Sequence, residues 1–170
     1  EYYLQTEDLL VKELSKFDLA EDAFKKSLSL DSQQIIPLLN LAIVQQKQNK
    51  LDEAISNLNR VLKKVDNADA YFSLGFCYFK KNDLKGSAKN FELAIKYNPR
   101  YLDAYINLGG IYEKLERFQE AANFLKRAIE LNPKSARSFY NLGVIHEKTM
   151  NFIIAIKCYQ KAIELNYIGK

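Results

Sequence analysis

The chain has no tryptophan, one histidine and two cysteines among its 170 residues. Cys77 and Cys158 lie far apart and show no metal-ligand spacing, so neither a zinc site nor a disulfide framework is indicated. The apolar run at 152–156 is far too short to cross a bilayer. We therefore expect no metal, no cofactor and no membrane contact, and a cytoplasmic or other reducing compartment.

Charge of one sign is also lacking. The chain has 25 Lys and Arg residues against 21 Asp and Glu residues, a formal net charge of +4. Acidic residues occur throughout, so the composition does not favour a nucleic-acid partner. The first residue is glutamate rather than methionine, which suggests a piece of a longer protein.

The chain does contain a long internal repeat. Its clearest copy has Tyr71, Leu74, Gly75, Tyr78, Ala88, Phe91, Ala94 and Pro99. The pattern returns one period later as Tyr105, Leu108, Gly109, Tyr112, Ala128 and Pro133, and a second time as Phe139, Leu142, Gly143 and Ala162. A fixed period of 34 residues indicates stacked units that bury their apolar faces against one another.

These residues resemble the tetratricopeptide repeat, a helix–turn–helix unit. The resemblance implies an all-α solenoid of antiparallel helix pairs, with about five repeats and ten helices in a single domain over 1–170. The expected repeats are 1–34, 35–67, 68–101, 102–135 and 136–169. The first repeat matches only in its second half, and we place its opening helix near 5–14.

Three glycines recur at one helix position, at Gly75, Gly109 and Gly143. Glycine inside a helix costs about 0.5–1 kcal/mol relative to alanine, so their recurrence indicates a packing role. We expect them to let two helix backbones approach closely. Leucine at Gly109 should overpack this contact by about 1–3 kcal/mol.

The resemblance also implies that the first helix of each repeat lines a concave groove. The sixth residues of four repeats are Asn40, Ser73, Asn107 and Asn141. A carboxamide both donates and accepts, so it suits a peptide backbone. The row is similar to the asparagine ladder of superhelical members of the family, although Ser73 interrupts it and Thr6 stands in the first repeat. Asparagine on a solvated face is the alternative, and we favour ligand contact.

Apolar side chains flank this row. The fifth residues are Leu39, Phe72, Ile106 and Tyr140, and the ninth are Ile43, Phe76, Gly110 and Val144. Phe79 lies three residues after Phe76, so Phe72, Phe76 and Phe79 share one face. This ridge favours an extended or helical ligand with apolar side chains. Burial against the next repeat is the alternative.

A lysine row follows at Lys47, Lys80, Lys114 and Lys148. Cations near a helix C-terminus complement the helix dipole, which is the interpretation we favour, and steering of an acidic partner remains open. The fifth and ninth residues are not the Lys and Asn of the carboxylate clamp that binds chaperone tails. Arg137 is the one remnant of that clamp.

The last repeat has Ile153 and Ile154 where earlier repeats have polar or small residues. They predict either an apolar end covered by another repeat, a second copy or a partner, or two side chains that turn inward. The two readings are equally weighted by the sequence.

We predict a protein-interaction scaffold that binds a peptide or partner segment in the groove, and no enzyme. His146 occupies a core position, and Gly109-Gly110 lies inside a helix without the lysine of a phosphate loop. The alternatives are a structural segment of a longer subunit, such as a ciliary or cell-cycle assembly, and the targeting arm of an enzyme such as a glycosyltransferase.

Overall fold

The computed structural model describes residues 2–165, and their side chains from residue 15 onward. Nine helices form over this range, and no strand does. They are α1 (Tyr2–Leu30), α2 (Ile35–Lys47), α3 (Leu51–Leu62), α4 (Ala68–Lys80), α5 (Leu84–Tyr97), α6 (Leu102–Lys114), α7 (Phe118–Leu131), α8 (Ala136–Lys148) and α9 (Phe152–Glu164). The all-α prediction is confirmed.

Short turns join the helices into hairpins. Helices α2 and α3, α6 and α7, and α8 and α9 each pack against one another, and helices from adjacent repeats pack in turn. The first helices of the repeats also lie side by side, α2 with α4 and α6 with α8. This is the helical repeat array that the sequence period predicts.

One residue with a positive φ ends the first helix of each hairpin. These residues are Asn49, Asn82, Glu116 and Met150, with φ between 58° and 63°. In three of the turns the next backbone N–H reaches back to the helix, as from Arg117 to the carbonyl of Tyr112 at 2.8 Å. Within each unit the left-handed residue thus stops the helix and reverses the chain, as at Asn49, Glu116 and Met150.

Helix α1 differs from the prediction, because one continuous helix replaces the expected helix–turn–helix of the first repeat. Residues 1–34 contain no Asn, Gly or Pro that would favour a turn. The position that holds Asn49 in the second repeat is Ser15 here. Nothing in this segment therefore ends the helix, and the count of helices in the described part is nine rather than ten.

The chain divides into two compact units, residues 1–82 and 83–170. The first has a core of buried side chains from α1 to α4, built around Leu38, Leu58 and Leu74. In the second, Tyr105 and Ile106 of α6 pack with Ala128 of α7. The prediction of a single domain over the whole chain stays a prediction.

The repeated glycines make room for a side chain of the facing helix. A Cβ on Gly109 would lie 2.6 Å from Cγ of Leu125, and one on Gly143 would lie 2.6 Å from Cε1 of Tyr159. The expected close approach is therefore between a helix backbone and an opposing side chain, rather than between two backbones. At Gly110 a Cβ would meet no atom within 4 Å.

Across residues 2–165, no helix has both the length and the apolar character needed to pass through a bilayer.

Candidate functional site

An open pocket lies in the first unit, on the face formed by α1, α2 and α4. It has a volume of about 530 Å³, and all three helices contribute to its wall. The lining residues are Phe17 of α1, Gln46 and Lys47 of α2, and Phe72, Phe76 and Lys80 of α4. The three α4 residues are spaced four apart, so they share one helix face.

Two lysine ammonium groups lie over the aromatic rings of this pocket. The Lys47 Nζ is 5.3 Å from the centroid of the Phe17 ring, and the Lys80 Nζ is 5.7 Å from that of Phe76. Lys80 also donates to the carbonyl of Gln46 at 3.4 Å. An ammonium group has three donors, so this bond leaves Lys80 able to contact a ligand.

Among residues 15–165, no acidic side chain lines the pocket wall. Several carboxylates elsewhere in the first unit already have partners. Asp18 accepts a hydrogen bond from Gln48, and Asp52 pairs with Lys81. Within residues 15–165, neither Lys47 nor Lys80 forms an ion pair.

Glu21 is a buried carboxylate of this unit. Hydrogen bonds from Lys25 and Lys50 lower its pKa to about 2, against a burial effect that would raise it. The Lys25 and Lys50 ammonium groups lie 2.7 Å and 2.6 Å from its oxygens. Because Lys50 precedes α3, this cluster fastens α1 to the hairpin of the second repeat.

The second unit has a smaller pocket of about 220 Å³. Its lining residues are Gly109, Gly110, Glu113 and Leu125, with Tyr140, Asn141, Val144 and Ile145 from α8. The Tyr140 ring lies 5.6 Å from that of Tyr159, centroid to centroid. This pocket therefore has one aromatic side chain and a carboxylate in its wall.

Two cations of the second unit are paired with carboxylates. Lys148 forms an ion pair with Glu113, and this hydrogen bond raises the pKa of Lys148. Arg137, the residue that resembles a clamp remnant, pairs with Asp103. The lysine row is therefore chemically divided, because Lys47 and Lys80 face aromatic rings whereas Lys148 faces a carboxylate.

The predicted asparagine row has uneven surroundings. Asn40, Asn107 and Asn141 are half-buried, whereas Ser73 is buried. Asn107 donates to the carbonyl of Asp103 in its own helix at 2.8 Å. Asn141 lines the second pocket. The side chain of Thr6 lies outside the described residues.

The apolar rows also divide. Phe72 and Phe76 are half-buried and line the first pocket, and Phe79 is 37% exposed. Ile106 departs from the groove prediction, because it is only 4% exposed and packs in the core with Tyr105 and Ala128.

The remaining members of these rows and the third lysine have mixed surroundings. Leu39 packs partly against the core of the first unit, and Ile43 is half-buried. Tyr140 and Val144 line the second pocket. Lys114 is exposed at the end of α6.

The outer face of α9 is exposed. Ile153 is 75% exposed, Ile154 is 46% exposed, and Phe152, Ile156 and Ile163 are exposed with them. The inward alternative for Ile153 and Ile154 is therefore wrong in this structure. The helix places them outward because Ala155, Cys158 and Ala162 occupy its buried face.

The thiols and the histidine of the described residues have pKa values that burial shifts. Both cysteines are buried free thiols, and burial raises the pKa of Cys77 to about 11. Burial, aided by Lys126, lowers the pKa of His146. Among residues 15–165, no group of three or more His, Cys, Asp and Glu side chains has the arrangement of a metal site.

Two pocket residues, Phe17 and Gln46, were not identified from the sequence. Phe17 lies in the second half of the first repeat, beyond the expected opening helix, and the absence of turn residues before it was the available signal. Gln46 donates its side-chain amide to the carbonyl of Ser73 at 3.4 Å, which links α2 to α4. Gln46 holds the repeat position of Phe79, so its place on the groove face was the available signal.

The helix pairs and the two pockets define a repeat scaffold. Models described as tetratricopeptide repeat match residues 38–68, 68–101, 102–135 and 136–166. The chain belongs to the tetratricopeptide repeat family, whose members are in general non-enzymatic scaffolds that bind proteins or peptides.

Solved structures share this fold. A crystal structure of MamA has a TM-score of 0.83 at 26% identity, covering 91% of each chain. YrrB, described as a TPR protein with an unusual peptide-binding site, has a TM-score of 0.74 at 23% identity, covering 92% of this chain and 81% of that one. At that identity YrrB supports the fold alone.

A sequence relative covers part of the chain. The protein STIP1 homolog of Dictyostelium discoideum is 34% identical over 88 residues. This match includes 47% of the present chain but only 16% of the length of that relative.

Proposed function

We propose that the chain binds a peptide or partner segment along the first helices of its repeats, with the pocket of the first unit as the main contact. The observation that carries this proposal is the open apolar surface of Phe17, Phe72 and Phe76. A pocket lined by aromatic side chains, with a few polar groups at its edge, is the usual form of a binding site.

The side chains in and near the pocket suit a peptide ligand. Side chains four apart on α4 offer an apolar strip, and the half-buried Asn40 lies one helix away. Apolar side chains of a ligand would be removed from water at about 25 cal/mol per Å². A carboxamide at Asn40 would add hydrogen bonds to the ligand backbone.

Selection from a random peptide display library tests this function. We expect peptides with at least one bulky apolar side chain to be enriched, and their binding to be weakened in Phe72→Ala. Failure to enrich any peptide family, or binding unaffected by Phe72→Ala in a variant with native circular dichroism, would contradict the proposal.

A second candidate function is association through the exposed face of α9. Ile156 holds the repeat position of Ala122, which is buried on α7, and α7 packs against α8. In the described part of the chain no helix covers the equivalent face of α9. We propose that a second copy or another repeat covers it, as in a structural segment of a longer subunit.

Light scattering over a concentration series tests this association. Wild type should gain mass with concentration, whereas Ile153→Asp with Ile156→Asp should remain a monomer. Met150→Asp is the matched control, since Met150 is as exposed as Ile153 but lies in the turn before α9. A wild-type protein that stays monomeric at millimolar concentration would contradict it.

We further propose that the chain has no catalytic activity, nucleic-acid partner or cofactor, and works in a reducing compartment such as the cytoplasm. Two buried free thiols in different units support the last point. A role as the targeting arm of an enzyme such as a glycosyltransferase remains compatible with peptide binding.

A further inference from the structure

We propose that the first-unit pocket selects an acidic segment, in which one bulky apolar side chain is flanked by two carboxylates. This inference rests on the proposed peptide binding and adds the chemistry of the ligand. The apolar side chain would lie on Phe72 and Phe76, and the carboxylates would reach Lys47 and Lys80.

The positions of the two ammonium groups carry this inference. Each lies over the face of a pocket phenylalanine, Lys47 over Phe17 and Lys80 over Phe76. An apolar ligand group against the aromatic wall therefore has two cations within the same pocket. A carboxylate in place of water would form a charge-assisted hydrogen bond, which is about twice as strong as a neutral one.

The charged side chains around the pocket also favour an acidic ligand. Three carboxylates of the first unit are engaged by side chains outside the pocket, Asp18 by Gln48, Glu21 by Lys25 and Lys50, and Asp52 by Lys81. Among the residues whose side chains the structure describes, the pocket lining presents two positive groups and no acidic one. The two ammonium groups would repel a basic ligand.

Lys47 and Lys80 can complement helix dipoles and bind ligand carboxylates at the same time. Lys80 uses one donor for the Gln46 carbonyl at the end of α2. An ammonium held at a helix end has a fixed position, so less side-chain entropy is lost when a ligand binds.

Two eight-residue peptides, each acetylated at the N-terminus and amidated at the C-terminus, test the inference. Both have a central Phe-Leu pair, flanked by aspartates in one and by asparagines in the other. By fluorescence anisotropy, the aspartate peptide should bind at least about tenfold tighter, and the difference should shrink as salt is raised. Equal affinity of the two peptides would overturn the inference.

A double variant locates the effect. Lys47→Gln with Lys80→Gln should remove the difference in affinity between the aspartate and asparagine peptides. The control is Lys85→Gln with Lys134→Gln, which removes the same charge from exposed sites and should keep the preference. Loss of the preference in both variants, or in neither, overturns the assignment to this pocket.

The outcomes separate this inference from the proposed function. If the asparagine peptide binds through Phe72 and the aspartate peptide gains nothing, peptide binding stands and acidic selection falls. If neither peptide binds and display selection also enriches none, both fall.

Discussion

The two units share the same helical repeat but have different side chains at matching repeat positions. The first unit has Phe76 and Phe79 in α4, and at the same positions of the next repeat the second unit has Gly110 and Glu113 in α6. The second pocket is smaller and its carboxylate neutralises Lys148. Residues that maintain the fold recur in register, whereas the aromatic residues of the pocket do not, so these departures from the repeat identify the candidate site.

The largest expected effect is on binding. Phe76→Ala should weaken a library-selected peptide by about 2–4 kcal/mol, because a central aromatic contact is the usual hot spot of an interface. Val144→Ala, at the matching position of α8, should change the affinity less than about threefold. Isothermal titration calorimetry measures both, and equal losses would remove the distinction between the units.

Lowering the pH should reduce the folding stability of the first unit more than that of the second. Since the pKa of Glu21 is about 2 when folded, against 4.5 ordinarily, its contribution is complete above about pH 4.5 and is lost as pH falls toward 2. Glu21→Gln should remove this dependence and cost about 1.5–3 kcal/mol at neutral pH, since a charged hydrogen-bond cluster is lost.

Hydrogen exchange of amides in α1–α4 measures the effect of Glu21→Gln by unit. Glu164→Gln is the control, because its ion pair with Lys161 is exposed. It should cost less than about 1 kcal/mol. A control loss as large as that of Glu21→Gln would refute the role given to the buried cluster.

Adjacent glycines in α6 should respond in opposite directions. Gly109→Ala should destabilise the second unit by about 1–3 kcal/mol, because its Cβ would meet Leu125. Gly110→Ala should stabilise it by about 0.5–1 kcal/mol, because its Cβ enters open space and alanine favours the helix. Urea unfolding of both variants decides the point, and a shared sign would show that the α6–α7 packing is wrong.

The smallest effect is at a turn of the second unit. Met150 has φ 60° and is exposed, so Met150→Gly should relieve its left-handed conformation and gain up to about 1 kcal/mol. The same change at Asn82, where asparagine already tolerates this conformation, should gain less. Thermal unfolding compares the two, and a loss of stability at Met150 would argue against a left-handed turn.

Much of the fold could be predicted, because helix starts and turns recur with the repeat period. The continuous helix α1 was not predicted, because the second half of the first repeat matches the repeat pattern and therefore suggested a turn before it. No turn forms at Ser15. Ile106 and Phe72 hold the same repeat position, yet one is in the core and the other lines a pocket. Their difference depends on packing around Ala128 and Phe17, which no single helix pattern contains.

The lysine row shows the same limit. Lys80 and Lys148 are indistinguishable by position, and their partners come from their surroundings, an aromatic ring and a carbonyl for one and Glu113 for the other. Conversely, the exposure of Ile153 could be anticipated as one of two outcomes, because the replacement of polar residues at that position was visible in the sequence.

The most direct test of the central claim is a map of amide chemical-shift changes on adding the aspartate-flanked peptide. We predict that the largest changes cluster at Phe17, Gln46, Phe72 and Phe76, with small changes at Tyr140 and Asn141. Changes concentrated on Tyr140 and Asn141, or scattered over both units without saturation, would contradict the claim that the first-unit pocket is the binding site.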